Sequence, residues 1–189
     1  MSRVARLRPA ELDAAQATLY DAIARGPRAQ GPQHFALTGD EGELLGPFNA
    51  LLLSPELGTT LQELGAAIRY RTALSPRMRE LAILVVANHW GSAFERGAHE
   101  SVGRAAGLTD ADLAALRDGG ALDLDDPAEG ATVDLCRALV TGDLSDEQWS
   151  HARDALAEST IFELTTLVGY YATLALQLRV FRAEPDHTA

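Results

Sequence analysis

Cysteine is almost absent from this chain, because Cys136 is the single thiol among its 189 residues. No disulfide can form within the chain, and without a CxxC pair neither a dithiol redox centre nor a cysteine-rich zinc site is possible. The sequence also contains no HxH or HExxH spacing, so we expect no bound metal. Cys136 lies among apolar residues and is most simply a small buried hydrophobic side chain.

Basic residues are also few. The 16 Lys and Arg residues against 27 Asp and Glu give a net charge of −11. This balance argues against binding to nucleic acid or to an anionic lipid surface, which both need a basic patch. The longest apolar segment, residues 164–178, is too short and too polar for a membrane span, and residues 1–6 do not resemble a signal peptide. We therefore expect a cytoplasmic protein without nucleic-acid or membrane partners.

Strand-like alternation is missing as well, whereas apolar residues recur at helical spacing along nearly the whole chain. Helix starts are marked by Ser54-Pro55, Ser75-Pro76 and Asp126-Pro127, each a capping residue followed by proline at the first helical position. Further helices are expected from Pro9 to about Arg25 and over residues 160–181. The prediction is an all-α protein with about eight or nine helices.

We expect one domain over residues 1–189. Residues 1–46 would form an N-terminal helix and a long loop, and residues 47–182 the helical core. A loop as long as residues 26–46 is typical of a lid, a binding loop or a disordered segment.

The most informative stretch begins at Glu80, which opens the apolar run of residues 81–87, and continues through Ser92, Glu95 and His99. Glu95 and His99 are four residues apart, so they share one face of a helix. A carboxylate beside an imidazole can handle protons, and burial can tune both groups. The adjoining apolar run predicts a dry pocket for this pair.

Each of these residues has an ordinary structural interpretation. Ser92 and Glu95 fit a capping box, His99 could be a satisfied interior histidine, and Glu80 could favour the helix dipole. Each signal is weak alone, and their combination favours a site.

Two further histidines are secondary candidates. His89 precedes Trp90 at a helix end, where a cation-capable ring is also an ordinary stabilising feature. His34 lies in the long loop, where it could reach a pocket or simply face solvent.

Residues 75–116 resemble the carboxymuconolactone decarboxylase family, which shares its fold with the alkylhydroperoxidase D-type proteins. The peroxidase branch carries two cysteines where this chain has Ser92 and Glu95, so the resemblance implies the decarboxylase-like branch and not a thiol peroxidase. It also implies an all-helical fold and assembly as a trimer or hexamer. The matching residues are Arg79-Glu80-Leu81, His89-Trp90-Gly91-Ser92, Glu95, His99 and Ala106-Gly107-Leu108-Thr109.

The resemblance implies a cofactor-free lyase that acts on a small carboxylated lactone or a related oxo-acid. His99 would be the general acid, Glu95 would orient it, and Glu80 would tune or shuttle the proton. A non-catalytic binding or assembly protein of the same fold, or a lactone hydrolase or isomerase of a tailoring pathway, are the alternatives. Substrate contacts are expected from Ser92, His89, Arg96, His34 and Trp90, with Arg69 or Arg71 as further candidates for binding a carboxylate.

Overall fold

The computed structural model describes residues 2–30 and 35–183. Within these residues it contains nine α-helices, and its β-structure is limited to one isolated bridge between Thr38 and Leu44. The predicted all-α class is therefore confirmed. The helices are α1 (Ala14–Ala24), α2 (Phe48–Leu51), α3 (Pro55–Tyr70), α4 (Pro76–Trp90), α5 (Ala93–Ala105), α6 (Asp110–Asp118), α7 (Pro127–Leu139), α8 (Asp146–Ala155) and α9 (Glu158–Phe181).

The first helix begins later than the sequence predicts. Pro9–Glu11 forms a 3-10 turn, and α1 starts at Ala14. The reason is a capping box, in which Asp13 accepts a hydrogen bond from the backbone N–H of Gln16, while the Gln16 side chain accepts one from the N–H of Asp13. This reciprocal cap is a stronger start signal than the proline four residues earlier.

The chain packs into two compact units, and the first comprises residues up to Tyr70 and from Leu174 onward. Its core joins Leu19 and Ile23 of α1 to Phe48 of α2, together with Leu37 and Leu44. The last two residues belong to the segment predicted as a long loop, so this segment supplies core side chains. The single-domain organisation stays a prediction.

The second unit, Arg71–Thr173, is built around α4. Every residue from Glu80 to Ala87 is buried, which is the behaviour of a helix that is apolar on all sides and enclosed by neighbours. Helix α4 packs against α5, α6 and α7, and α7 packs against α8.

The forked guanidinium of Arg77 links the start of α4 to α7 and to the end of α5. Arg77 binds both carboxylate oxygens of Glu129 on α7, at 2.8 and 3.0 Å, and donates another hydrogen bond to the carbonyl of Gly107. Paired contacts of this geometry are both strong and directional. They hold α4 in a defined position relative to α7 and the end of α5.

Helix α9 is, in the described part of the chain, the one helix long and apolar enough by length and composition to cross a bilayer. Half of its apolar window is buried inside the protein.

Candidate active site

A tight turn between α4 and α5 creates the site. Gly91 ends α4 in the left-handed region at φ 63°, a conformation that glycine adopts without strain. The backbone N–H of Ser92 then bonds to the carbonyl of Ala87 at 2.9 Å, and Ser92 becomes the N-cap of α5. Because the two helices pack against each other beyond this turn, Glu80 on α4 comes to lie beside His99 on α5.

Glu80 and His99 form a short buried hydrogen bond. The distance from Glu80 Oε2 to His99 Nδ1 is 2.6 Å, with the residues 0% and 6% exposed. A carboxylate at Nδ1 favours the tautomer in which Nδ1 carries the proton. Nε2 is then the ring nitrogen that can exchange a proton with a bound molecule.

A cation lies next to the buried carboxylate. Arg79 Nε is 3.5 Å from Glu80 Oε1. A buried carboxylate is costly unless it is paired and hydrogen-bonded; here the imidazole provides a hydrogen bond and the guanidinium an opposite charge. Glu80 therefore has specific charged and hydrogen-bonding partners, which an interaction with the helix dipole alone would not provide.

Glu80, rather than Glu95, is the carboxylate found on the ring nitrogen of His99. Glu95 and Ser92 are both buried, at 3% exposure each. The Ser92 hydroxyl accepts the N–H of Glu95 at 3.5 Å, which is half of the predicted capping box. In the other half of a capping box, the Ser92 N–H would donate to the Glu95 side chain. Here that N–H donates to the carbonyl of Ala87 instead. A role for Glu95 in positioning or proton transfer stays a prediction.

Sequence reasoning did not identify the aromatic side of the site. The ring of Tyr171 on α9 lies against His99, with centroids 5.2 Å apart and planes at 87°. Tyr170 meets Tyr171 in the same manner, at 5.2 Å and 86°. The available signal was a pair of adjacent tyrosines in a long helix rich in apolar residues, and only the packing of α9 shows which of them contacts the histidine.

The expected substrate-binding residues occupy varied environments. His89 is exposed, and its ring meets Trp90 edge-on with centroids 6.2 Å apart. Trp90 and Arg96 are half-buried. His34 lies outside the described residues.

The two arginines proposed to bind a carboxylate also differ. Arg69, in the last turn of α3, is half-buried, with its guanidinium 5.9 Å from the centre of the Tyr70 ring. Arg71 is exposed.

Cys136 is fully buried on α7 with a free thiol, and burial raises its pKa to about 12. A thiol that stays protonated at neutral pH is a poor nucleophile and a poor metal ligand. Among the residues described, no group of three or more His, Cys, Asp or Glu side chains has the geometry to hold a metal ion.

A separate groove of about 510 Å³ runs between α7 and α8. Its lining includes apolar residues such as Leu135 and Ala138, and the polar residues Asp134, Arg137 and His151. Neither Glu80 nor His99 lines it, so the groove is not the space in which the buried pair would act.

Comparison with models of protein families finds a match. The model for the carboxymuconolactone decarboxylase family matches residues 55–138. This region contains the residues on which the sequence resemblance rests, and the resemblance is confirmed. A comparison with curated proteins finds no match.

Solved structures share the fold. The debrominase Bmp8 without ligand superposes with a TM-score of 0.69 at 11% identity, covering 92% of this chain and 87% of that one. A Bmp8 variant in complex with 2,3,4-tribromopyrrole gives 0.72 at 11% identity, covering 99% and 95%. An Agrobacterium tumefaciens protein of unknown function, described as a candidate antioxidant defence protein AhpD, gives 0.61 at 19% identity, covering 74% and 97%. At these identities the likeness concerns the fold alone.

Proposed function

We propose that this chain is a cofactor-independent lyase, because residues 55–138 match the model for the carboxymuconolactone decarboxylase family. Its substrate would be a small carboxylated lactone or a related oxo-acid. The observation that carries the proposal is the buried 2.6 Å hydrogen bond between Glu80 and His99. The fold is one used by at least one enzyme, the debrominase Bmp8.

Decarboxylation requires a proton at carbon. When the bond from carbon to the carboxylate breaks, carbon dioxide leaves and the electron pair remains on the substrate as an enolate. His99 in its imidazolium form delivers a proton from Nε2 to the carbon, and solvent later restores that proton. Glu80 stabilises the imidazolium through Nδ1 and holds the ring in place.

Burial strengthens this arrangement. In a site from which water is largely excluded, a carboxylate interacts more strongly with an imidazolium than it would in water. A positioned general acid contributes about 10²–10⁴-fold to a rate. A purely structural role explains the buried pair less well. Apolar residues of similar volume often stabilise a protein as much as a buried ionisable pair does.

The substrate carboxylate needs a cation. Arg96 follows Glu95 directly on α5 and is half-buried. A guanidinium can bind a carboxylate with two parallel hydrogen bonds, so Arg96 is our first candidate for this contact. Ser92 and Trp90, at the turn between α4 and α5, are proposed to complete the binding surface.

The test is turnover of a panel of carboxylated lactones and oxo-acids, followed by carbon dioxide release and by ring opening. Activity should fall at least about 100-fold in His99→Gln and in Glu80→Gln. Glu100→Gln is the matched control, because Glu100 neighbours His99 in sequence but binds Arg117 at 2.8 Å. No turnover by the folded wild type across the panel would favour a binding or assembly role, whereas ring opening without carbon dioxide would favour a hydrolase.

We expect the enzyme to act in the cytoplasm as a homo-oligomer, most simply a trimer. Helix α9 leaves large apolar side chains exposed, with Phe162 at 72%, Leu176 at 46% and Val180 at 45%. Exposed apolar residues along one helix favour burial against another subunit. Light scattering at micromolar concentration should give a multiple of the 20.2 kDa chain mass, and a monomer would contradict this expectation.

A further inference from the structure

The contact between Tyr171 and His99 assigns a function to a residue outside the Glu/His pair. We infer that Tyr171 is a positioning residue, whose ring holds the His99 imidazole in the orientation that keeps Nδ1 on Glu80 and directs Nε2 toward a substrate. The catalytic meaning of this inference rests on the function proposed above. The positioning itself is a property of the folded protein and can be measured without a substrate.

One hydrogen bond does not fix an imidazole ring. The bond from His99 Nδ1 to Glu80 Oε2, at 2.6 Å, fastens one corner of the ring. Rotation about the Cβ–Cγ bond of histidine has broad minima, and a half turn exchanges Nδ1 with a carbon. A second restraint is needed to keep the proton-bearing nitrogen on the carboxylate.

Tyr171 supplies that restraint from a different helix. Its ring is nearly perpendicular to the imidazole, at 87°, with centroids 5.2 Å apart, a favourable edge-to-face arrangement. Tyr171 is itself 8% exposed and lies against Tyr170, so it has little room to move away. The imidazole is therefore held by the carboxylate of Glu80 and by an aromatic ring on α9.

We assign the restraint to the ring, because the contact between Tyr171 and His99 joins the two rings. Tyr171→Phe retains the edge-to-face contact, whereas Tyr171→Leu removes it while remaining apolar. Tyr171→Met provides a second ringless variant, since its flexible side chain adapts to irregular space in a core. Trp149→Leu is the control, because Trp149 is a partly exposed aromatic on α8 that contacts Arg153.

The readout is the Nδ1 proton of His99, observed by NMR in protein with isotope-labelled histidine. The chain has five histidines, and loss of one signal in His99→Gln assigns it. Ringless variants at Tyr171 should exchange this proton with water about 2- to 13-fold faster, the change that corresponds to one edge-to-face pair. Tyr171→Phe and Trp149→Leu should leave the exchange rate unchanged.

Two results would overturn the inference. One is an unchanged exchange rate in a ringless variant that folds. The signals of the other histidines show whether the variant is folded. The other is Tyr171→Phe exchanging as fast as Tyr171→Leu, which would assign the effect to the hydroxyl. With an identified substrate, Tyr171→Leu should lower kcat more than it changes KM. If the wild type turns over no substrate but the exchange rates behave as expected, the lyase proposal fails and the positioning stands.

Discussion

The pairing of Glu80 and His99 makes a sharp thermodynamic prediction. Glu80 is 0% exposed, so replacing His99 with leucine leaves its carboxylate buried without the imidazole. Leaving a buried carboxylate without its partner costs roughly 3–5 kcal/mol. Arg79, whose Nε lies 3.5 Å from Oε1, compensates part of that charge, so we expect the lower end, about 3 kcal/mol. In a chain of this size that corresponds to a melting temperature lower by about 6–12 °C.

The double substitution should behave differently. Glu80→Leu alone leaves an imidazole that can be neutral, and we expect a smaller loss of about 1–3 kcal/mol. The double variant Glu80→Leu with His99→Leu removes both polar groups and should have nearly wild-type stability or exceed it, by up to about 4 kcal/mol. The double variant should therefore be at least about 4 kcal/mol more stable than the two single changes would predict by addition.

Thermal and urea unfolding followed by far-UV circular dichroism, at one fixed protein concentration, measure these values. Asp110→Asn is the control, because the pair of Asp110 with Arg104 is solvent-exposed and should contribute less than about 1 kcal/mol. The reasoning is refuted if His99→Leu costs less than about 1 kcal/mol, or if the double variant loses the full sum of the single losses.

Three other outcomes follow from the same structure. Glu129→Gln should lower the free energy of unfolding by about 1–2 kcal/mol, more than Asp110→Asn, because it weakens the paired contact with Arg77; equal losses in chemical denaturation would contradict the structural role of this fork. The pKa of the Cys136 thiol rises from 9.0 to about 12 in the folded state. The unfolded chain therefore releases this proton first, and stability should fall above about pH 9 by up to about 1.4 kcal/mol per pH unit, a dependence that Cys136→Ala should remove in unfolding titrations. The protein should show no dithiol-dependent peroxidase turnover, since Cys136 has no partner thiol in the chain. Peroxidase turnover that persists in Cys136→Ser would contradict this expectation.

Much of the fold could be predicted because its signals are local. The starts of α4, α6 and α7 are set by a capping residue and the few residues that follow, and such contacts do not depend on distant parts of the chain. The exception at α1 is also local, since the Asp13–Gln16 capping box can be read from the sequence once both residues are considered.

The candidate site was only partly visible. The sequence by itself determined that Glu80 would lie on an enclosed apolar helix and that Glu95 and His99 would share one face of the next helix. It favoured Glu95 as the partner of His99, since spacing along one helix is the sole geometry that a sequence displays directly. Only the tertiary structure decided that Glu80 takes that position, at 2.6 Å, and that Tyr171 packs against the ring. The reason is physical: contacts between helices depend on how α4, α5 and α9 pack, and packing is determined by all the buried side chains together rather than by any short segment.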